Sequence, residues 1–416
     1  MSDRKTVLLC YEAGAGRGHA TKLATVARAL WPEHPCQAIL PRLDASDLLA
    51  PHCGRIDRGP FPAVMSPAPP RTAMTWAYWL LSRGFADPAI LRRRFDWWCG
   101  ALRGIRPGLV VADFAPTALM AARAVGVPAV AIGAPFFTIP STLDSFPDYL
   151  PPEATALHGT VLVDAPPPDE AAMRDIINDT LGPLGLPPLA RLPQVNTADL
   201  ELAASIPLWD PYLPWRSQPL LMPLERLPPL RDRAGSEVFI YFSTHELKEP
   251  AIRNALRRMP YPARLVARGL PADLARDLAA NPKLVIEPAP LSHDRIVARA
   301  RVILCSGQAG TMSLAVLAGI PVLALPIDFE KLSNAWRAAE ALPSARVLPR
   351  LRRSTETILD TLGELWARPD LAEAAGEDAL RLRAVYTETA QEAYRRRMLP
   401  LLGHREKPPQ YFLRNV

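Results

Sequence analysis

The chain has 416 residues, more than one hydrophobic core usually supports, so two domains of roughly 200 residues each are expected. Apolar residues make up 49% of it, which is enough for two cores. The formal charge of +6 comes from 48 basic and 42 acidic residues, an excess too small for a typical nucleic-acid binder. A solvated basic surface explains this charge, although such a surface would also attract phosphates or an anionic membrane face.

The cysteines and the apolar runs bear on the cellular location. Five cysteines are scattered without C-x-x-C spacing, so neither a disulfide framework nor a zinc site is predicted. Reduced thiols in a cytoplasmic protein are expected. The first apolar segment is too short for a secretory signal. Residues 108–137 form the most apolar long stretch, but Asp, Arg and Pro residues divide it into strand, helix and strand, so no membrane span is predicted.

The first predicted elements form a βα unit. Residues 6–11 are predicted to be a buried strand, residues 12–19 a glycine-rich turn, and residues 20–30 a helix with apolar side chains at helical spacing. A second strand is predicted at Cys36–Leu40. Residues 52–71 are rich in Pro, Gly and Arg, and are expected to be irregular.

Two predicted helices, residues 72–85 and 88–103, carry aromatic side chains. These are Trp76, Tyr78, Trp79, Phe95, Trp97 and Trp98, beside Arg92–Arg94. Packing in the core is the favoured explanation. The alternatives are an acceptor groove or, together with Arg395–Arg397, a patch that contacts the membrane surface.

The middle of the chain repeats the alternation of strand and helix. Residues 109–112, 116–125 and 128–132 read as strand, helix and strand, the pattern of a parallel sheet. Residues 203–229 are rich in proline and are interpreted as the approach to a second domain. The predicted divisions are residues 1–228, residues 229–390, and a helix and tail at residues 391–416.

The second half begins the same pattern again. Strands are predicted at residues 237–242, 263–267 and 284–286, each followed by a helix. Residues 302–337 then combine a buried strand, a turn with glycines, a helix, a second strand and a polar loop. The predicted class is α/β, with two Rossmann-like doubly wound domains facing a cleft.

The turn within residues 306–311 precedes a predicted helix at residues 312–318. Unpaired amides at a helix N-terminus and the helix dipole both favour anions, so a diphosphate is the expected ligand. Ser243 and Thr244 follow another predicted strand, where they could support a phosphate or only cap a helix.

The sequence from Ser306 to Ala335 resembles the donor motif of the UDP-glycosyltransferase superfamily, whose members have the GT-B fold. SGQAGT is followed by A-x-x-x-G-I-P, a proline and E-K-x-x-N-A at the family's spacing. The resemblance implies an N-terminal acceptor domain, a C-terminal donor domain and a last helix that returns to the first domain. It also implies that Gly310 and Thr311 hold the donor diphosphate, with Asn334 in the polar loop beside the donor.

The chain departs from this motif at several positions. Ser306, Gly307 and Gln308 stand where the family has His-Gly-Gly, and Leu314 replaces the glutamate that binds ribose. Glu330 and Lys331 replace the Asp-Gln pair that binds the donor sugar, and Pro288 occupies the position of the aromatic residue that stacks on the base. A leucine cannot accept hydrogen bonds from ribose, so a deoxyribose nucleotide, a different donor pose or no donor are all consistent with the sequence.

The glycine-rich first loop, with Gly14, Gly16 and Gly18, ends in His19 and resembles the family's first loop. Inverting members use this histidine to deprotonate the acceptor hydroxyl, and an aspartate after a later strand orients it. Asp113 occupies that place. Both residues follow predicted parallel strands, at the edge where open α/β sheets bind ligands. A neutral imidazole oriented by a buried carboxylate is suited to general-base chemistry near neutral pH.

Simpler roles compete with this interpretation. His19 could be a capping or packed histidine, and Asp113 could cap the helix that begins near Pro116. A dinucleotide site is disfavoured, because the third glycine of G-x-G-x-x-G would fall at His19 and no ribose-binding acid follows Cys36–Leu40. The remaining histidines lack the spacing of metal ligands.

The sequence therefore predicts an inverting glycosyltransferase that uses a UDP- or dTDP-sugar as donor substrate, without a cofactor or metal. The acceptor would be a hydroxyl of a small molecule, lipid or glycan, and no nucleic-acid partner is expected. One alternative is a non-catalytic GT-B relative that serves as a binding or scaffolding module. A nucleotide-sugar epimerase ranks below both. The predicted location is cytoplasmic, with peripheral contact to the inner membrane face as an additional hypothesis.

Overall fold

A computed structural model describes residues 5–12, 17–60, 75–159, 167–243 and 245–403 of the chain. Two sheets of six strands each organise these residues. Every strand pairing in both sheets is parallel. Helices cover the sheets, so the central strands are apolar on both faces and read as continuous hydrophobic runs.

The amino-terminal sheet has the strand order β3-β2-β1-β4-β5-β6. Its strands are β1 (Val7–Cys10), β2 (Cys36–Leu40), β3 (Cys53–Arg58), β4 (Leu109–Asp113), β5 (Ala129–Gly133) and β6 (Leu200–Ala203). The helices of this half are α1 (Gly18–Leu30), α2 (Trp76–Ser82), α3 (Pro88–Ile105), α4 (Pro116–Val125), α5 (Pro152–Ala156) and α6 (Glu170–Leu181). The order of connection reverses between β1 and β4, and open α/β sheets bind ligands at the carboxyl ends of strands at such a point.

The carboxyl-terminal sheet has the order β12-β11-β10-β7-β8-β9. Its strands are β7 (Glu237–Ser243), β8 (Ala263–Arg268), β9 (Leu284–Glu287), β10 (Ala300–Cys305), β11 (Val322–Ala324) and β12 (Ala345–Val347). The remaining helices are α7 (Pro250–Arg257), α8 (Ala272–Leu278), α9 (His293–Arg299), α10 (Ala309–Ala318), α11 (Phe329–Ala341), α12 (Thr355–Ala367), α13 (Pro369–Arg383) and α14 (Ala390–Gly403). The predicted α/β class with two doubly wound sheets is confirmed.

Helix α14 leaves the carboxyl-terminal half and packs on α1. Tyr394 and Met398 are buried in one apolar cluster with Val26 and Leu30. The guanidinium of Arg395 also donates to the carbonyl oxygen of Ala29 at 3.0 Å. The last helix thus ties the end of the described chain to its first helix.

The loop at residues 149–159 connects the two halves on the other side. Ser333 Oγ in α11 donates to the carbonyl oxygen of Tyr149 at 3.2 Å. The ring of His158 stacks on Phe329 with 4.1 Å between centroids. Helix α11 is therefore packed directly against the amino-terminal half.

The clearest differences from the sequence predictions are at β3, β6 and α11. Residues 52–71 were expected to be irregular, but β3 forms there as an edge strand, and β6 was not expected. Residues 326–337 were predicted to be a polar loop, whereas α11 begins at Phe329. Its start is fixed by Asp328, whose carboxylate accepts from the Lys331 amide at 2.9 Å. Its buried face repeats Leu332, Ala335 and Ala338 at helical spacing, which favours a helix.

The aromatic side chains of α2 and α3 pack in the core. Trp76, Phe95 and Trp98 are fully buried in one cluster, and the other three aromatic residues pack against it. Of the arginines at residues 395–397, Arg395 pairs with Glu33 and Arg396 with Glu388. Among the described helices, none combines the length and apolar composition that crossing a membrane requires. Peripheral membrane contact stays a prediction, which co-sedimentation with anionic lipid vesicles at low salt would test.

Candidate active site

Two polar side chains meet at the carboxyl-terminal edge of the amino-terminal sheet. Strands β1 and β4 are neighbours, so the segments that follow them lie side by side. His19 lies in the first turn of α1, Asp113 ends β4, and His19 Nδ1 is 3.0 Å from Asp113 Oδ2. Because a carboxylate can only accept, we assign the ring proton to Nδ1, which leaves Nε2 as an acceptor.

The imidazole of His19 is enclosed by aromatic rings. Tyr11 stacks on it at 5.3 Å between centroids, Phe114 lies parallel at 6.2 Å, and Phe137 meets it edge-on at 5.1 Å. His19 is only 7% exposed and Asp113 is fully buried. In such surroundings a carboxylate stabilises an imidazolium more strongly than it would in water.

Neither His19 nor Asp113 caps a helix: the N-cap residues of α1 and α4 are Arg17 and Ala115. The N-cap position of α4 is Ala115, whose side chain does not cap. The amides of its first turn are instead bound by Glu12, whose Oε1 accepts from Ala118 N at 2.7 Å and Oε2 from Thr117 N at 3.4 Å. Sequence reasoning missed Glu12, although an acidic residue directly after a buried strand is a signal that could have found it.

Gly133, at the end of β5, leaves space for the Asp113 carboxylate. Its φ is +148°, in a region that side chains rarely adopt. A Cβ at this position would lie 2.7 Å from Asp113 Oδ1 and 2.8 Å from Thr138 Oγ1. The sequence analysis did not identify Gly133, since this approach exists only when β4 and β5 are paired.

The start of α10 is accessible in the carboxyl-terminal half. No side chain caps this helix, and its first turn contains no acidic residue. Gly310 is exposed, and a Cβ added to it would meet no atom within 4 Å. Thr311 follows it in the same turn. The predicted diphosphate position therefore combines open space with the unpaired amides of a helix start.

The residues just before α10 make internal contacts. Ser306 is fully buried, and its amide donates to Gln308 Oε1 at 3.1 Å. Gly307 has φ +90°, and a Cβ there would lie 2.5 Å from the Lys331 carbonyl oxygen. Asn334 Nδ2 donates to the Gly307 carbonyl oxygen at 3.3 Å. Gly307 and Asn334 thus join the α10 turn to α11, and Asn334 lies on a helix instead of in the predicted loop.

Lys331 belongs to a charged network beneath this turn. Its Nζ is 2.9 Å from Asp328 Oδ2 and 3.9 Å from Glu246 Oε1. Burial acts to lower the pKa of Lys331, but the nearby carboxylates outweigh it and the pKa is raised. Ser243 Oγ donates to the carboxylate of Glu246, which is itself buried. Ser243 and Lys331 are therefore both engaged inside the protein.

Glu330 lies in the first turn of α11. Burial raises its pKa to about 7, and the charge of Asp328 adds to this increase. The imidazolium form of His19, and the charges of Lys22 on α1 and of Lys331, act to lower it. Glu330 and His19 thus influence each other across the cleft, although they come from different domains.

Leu314 points into the apolar core. It is 3% exposed and belongs to the cluster that includes Phe239, Ile303 and Met312.

Three predicted site residues, Gly14, Gly16 and Thr244, lie outside the described residues, whereas Gly18 begins α1. Within the described ranges, no group of three or more His, Cys, Asp or Glu residues is arranged to hold a metal ion.

No protein-family model matches the chain, and no curated protein matches it in sequence. Solved structures do match its fold. CalG4, the calicheamicin glycosyltransferase, superimposes with a TM-score of 0.67 at 16% identity, covering 97% of this chain and 100% of CalG4. The glycosyltransferase VinC in complex with dTDP superimposes with a TM-score of 0.61 at 18% identity, covering 95% of this chain and 99% of VinC. The spinosyn rhamnosyltransferase SpnG superimposes with a TM-score of 0.59 at 16% identity, covering 96% of this chain and 99% of SpnG. The chain therefore has the two-domain GT-B fold of these glycosyltransferases, as its motifs predicted.

Proposed function

We propose that this protein is an inverting glycosyltransferase that moves a sugar from a nucleotide-diphosphate donor to a hydroxyl acceptor. The observation that carries the proposal is the buried pair of His19 and Asp113, with 3.0 Å between Nδ1 and Oδ2. The pair lies at the sheet edge where open α/β folds bind ligands. The contacts of α11 with residues 149–159 of the amino-terminal half support a site shared by both domains.

In the proposed reaction, Nε2 of His19 accepts the proton of the acceptor hydroxyl. The acceptor oxygen attacks C1 of the donor sugar from the face opposite the diphosphate, and the bond between C1 and the phosphate oxygen breaks with inversion at C1. Asp113 stabilises the imidazolium that forms, because its carboxylate faces Nδ1. The nucleoside diphosphate leaves with the bonding electron pair.

The departing diphosphate carries negative charge that needs stabilisation. The amides at the start of α10, near Gly310 and Thr311, are suited to this role without a metal ion. Turnover is therefore expected to be unchanged in a chelating buffer. The donor would be a UDP- or dTDP-sugar; VinC was solved with dTDP and SpnG with thymidine diphosphate, which supports testing dTDP-sugars first.

Aromatic side chains around His19 favour an acceptor with an apolar body. Phe137 is partly exposed and meets the imidazole edge-on, and behind it Phe136 and Trp79 belong to the packed core. SpnG was also solved with the spinosyn aglycone, a precedent for an aglycone acceptor on this fold. An aglycone that carries a hydroxyl group is accordingly the first acceptor class to test.

Removing the base tests the proposal. Wild type is assayed with panels of UDP- and dTDP-sugars and hydroxylated aglycones, and the active pair is then used for His19→Ala. A fall in kcat of about 10²- to 10⁴-fold is expected, since general-base catalysis contributes that much. His34→Ala is the control, because His34 contacts the Lys5 carbonyl oxygen outside the site. Unchanged turnover by His19→Ala would refute the assignment of His19 as the base.

A non-catalytic GT-B protein is the second candidate, and Leu314 favours it. The resemblance places a ribose-binding glutamate at this position, but Leu314 is packed in the core and Lys331 is neutralised by carboxylates. Calorimetric titration with UDP, dTDP and other nucleotide diphosphates separates the two candidates. Saturable binding of at least one supports the enzyme, whereas no binding supports a module that has lost its donor.

A further inference from the structure

Glu12 is a buried carboxylate that the proposed reaction does not use. It lies two residues beyond the end of β1 and is 6% exposed. Its two carboxylate oxygens accept from two successive amides in the first turn of α4, at 2.7 Å from Ala118 N and 3.4 Å from Thr117 N. A side chain from one strand thus caps the helix that follows a neighbouring strand.

The backbone of Glu12 fixes the segment between β4 and α4. Its amide donates to the Phe114 carbonyl oxygen at 3.3 Å. Phe114 has φ +53°, a left-handed conformation that is uncommon for a residue with a side chain and costs free energy. The Glu12 amide and carboxylate hold both sides of this turn, with Phe114 on one side and α4 on the other. The turn between β4 and α4 is therefore stabilised by Glu12, a residue far from it in the sequence.

This turn sets the direction of Asp113, which immediately precedes Phe114. Asp113 lies two residues before Ala115, the N-cap of α4, and a carboxylate near a helix start is attracted to the unpaired amides of the first turn. Because Glu12 already occupies those amides, the Asp113 carboxylate is available to His19 Nδ1. The flanking residues contribute as well, since Tyr11, next to Glu12, and Phe114, next to Asp113, both stack against the imidazole.

The pKa shifts of Cys10 and Glu12 agree with the position of the Glu12 and Asp113 carboxylates near the end of β1. Burial raises the pKa of the Cys10 thiol, and the charges of Glu12 and Asp113 raise it further, which places both carboxylates near the end of β1. Burial also raises the pKa of Glu12, whereas the positive charge of Arg94 and the α4 amides lower it. Arg94 and the helix start thus offset part of the cost of a second buried carboxylate near Asp113.

We propose that Glu12 is a positioning residue for the general base: it caps α4 in place of Asp113 and so keeps Asp113 directed at His19. The role in catalysis rests on the proposed function, but the effect on the geometry does not. Loss of Glu12 would leave the α4 amides without this partner, and the Asp113 carboxylate would turn away from His19 Nδ1 toward them. The imidazole of His19 would then no longer be held in one tautomer and one orientation.

A measurement that needs no substrate tests this positioning. In wild type, the proton on His19 Nδ1 should give a low-field resonance in the proton NMR spectrum, assigned by its loss in His19→Ala. Glu12→Ala is expected to abolish this resonance. Glu12→Gln, whose single carbonyl oxygen can still accept from Ala118 N, should retain it with reduced protection from exchange with water. A resonance that persists unchanged in a folded Glu12→Ala variant would overturn the proposal.

Asp87→Ala provides the matched control for loss of a helix cap. Asp87 Oδ1 accepts from two amides of α3, Ala89 N at 2.9 Å and Ile90 N at 3.1 Å, and so makes a cap of the same kind away from His19. Both variants lose a helix cap and are compared by urea unfolding. Only Glu12→Ala should lose the His19 resonance. Equal loss in both variants would show a general effect of destabilisation and would contradict positioning.

Kinetics then connect the geometry to the reaction. Glu12→Ala is expected to lower kcat about 100-fold with little change in KM, the effect typical of a displaced catalytic group. Glu12→Gln should recover most of this loss. If the resonance responds as expected but no wild-type transferase activity is found, the proposed function fails while the positioning stands. If activity depends on His19 but not on Glu12, the positioning fails alone.

Discussion

The two halves of the cleft are built in different ways. In the amino-terminal half, Asp113 and His19 are buried and face each other at 3.0 Å, and the arrangement depends on side chains. In the carboxyl-terminal half, the start of α10 is open at Gly310 and depends on main-chain amides. The polar side chains near it, among them Lys331 and Asn334, contact other parts of the protein.

This difference bears on which properties a GT-B chain can change. A diphosphate bound by main-chain amides would require only a helix start and room beside it, so binding of this kind would not depend on the side chains of Ser306 and Gln308. A general base requires a defined tautomer and orientation, which tolerate little change. We therefore expect substitutions beside Asp113 to affect turnover strongly, and expect the α10–α11 region to respond mainly in stability.

Among the substitutions that compare the two halves, the largest effect is expected from Gly133→Ala, which acts on the amino-terminal half. The new Cβ would lie 2.7 Å from Asp113 Oδ1, so the carboxylate must move. Turnover should fall about 100-fold, and the His19 Nδ1 proton resonance should disappear. Gly126→Ala is the control: it also has positive φ, at +71°, but a Cβ there meets no atom within 4 Å. That variant should lose about 1–2 kcal/mol of stability through backbone strain and keep its activity.

A smaller effect is expected from Leu314→Glu in the carboxyl-terminal half. The change restores the residue type of the family, but it places a carboxylate among Phe239, Ile303 and Met312. The free energy of unfolding should fall by about 2–4 kcal/mol, and affinity for nucleotide diphosphates should not rise. Leu314→Met, which keeps volume and polarity, should cost less than about 1.5 kcal/mol. Wild-type stability together with tighter nucleotide binding by Leu314→Glu would show that this position faces the donor instead.

The smallest effect is expected at Glu330, where the two halves meet. Its pKa of about 7 in the folded protein exceeds the ordinary value of 4.5, so between these pH values the folded state binds more protons than the unfolded state. Stability should therefore fall as pH rises through this window. Glu330→Gln removes the titration and should be more stable than wild type by about 1 kcal/mol at pH 8, with no advantage at pH 4.5.

Urea unfolding at the two pH values measures the Glu330 effect. Glu373→Gln, at an exposed position on α13, controls for the loss of one carboxylate. An equal advantage of Glu330→Gln at both pH values would indicate a packing effect and contradict the titration. If Glu330→Gln were more stable than wild type only at low pH, the pH dependence would have the opposite sign, and a raised pKa of Glu330 would be excluded.

Much of the fold could be predicted because its signals are local. Apolar runs of strand length such as Cys36–Leu40, and the helix Pro116–Val125 that ends at Gly126, follow from hydrophobic pattern and terminator residues. The exceptions have physical reasons. Strand β3 is stabilised by pairing with β2, which a sequence of partly exposed residues does not reveal. Helix α11 was taken for a loop because its polar residues hid the buried repeat of Leu332, Ala335 and Ala338.

By itself, the sequence determined the α/β alternation, a helix that ends at Ala318 after the turn with Gly310, and the candidacy of His19 and Asp113, because these depend on residue types at short spacing. Only the tertiary structure decided that Asp113 faces His19, that Glu12 occupies the α4 amides, and that Leu314 lies in the core. Each of these depends on which strands and helices pack together. Distances between residues far apart in sequence, and the burial that shifts the pKa of Glu330, are set by packing and not by local periodicity.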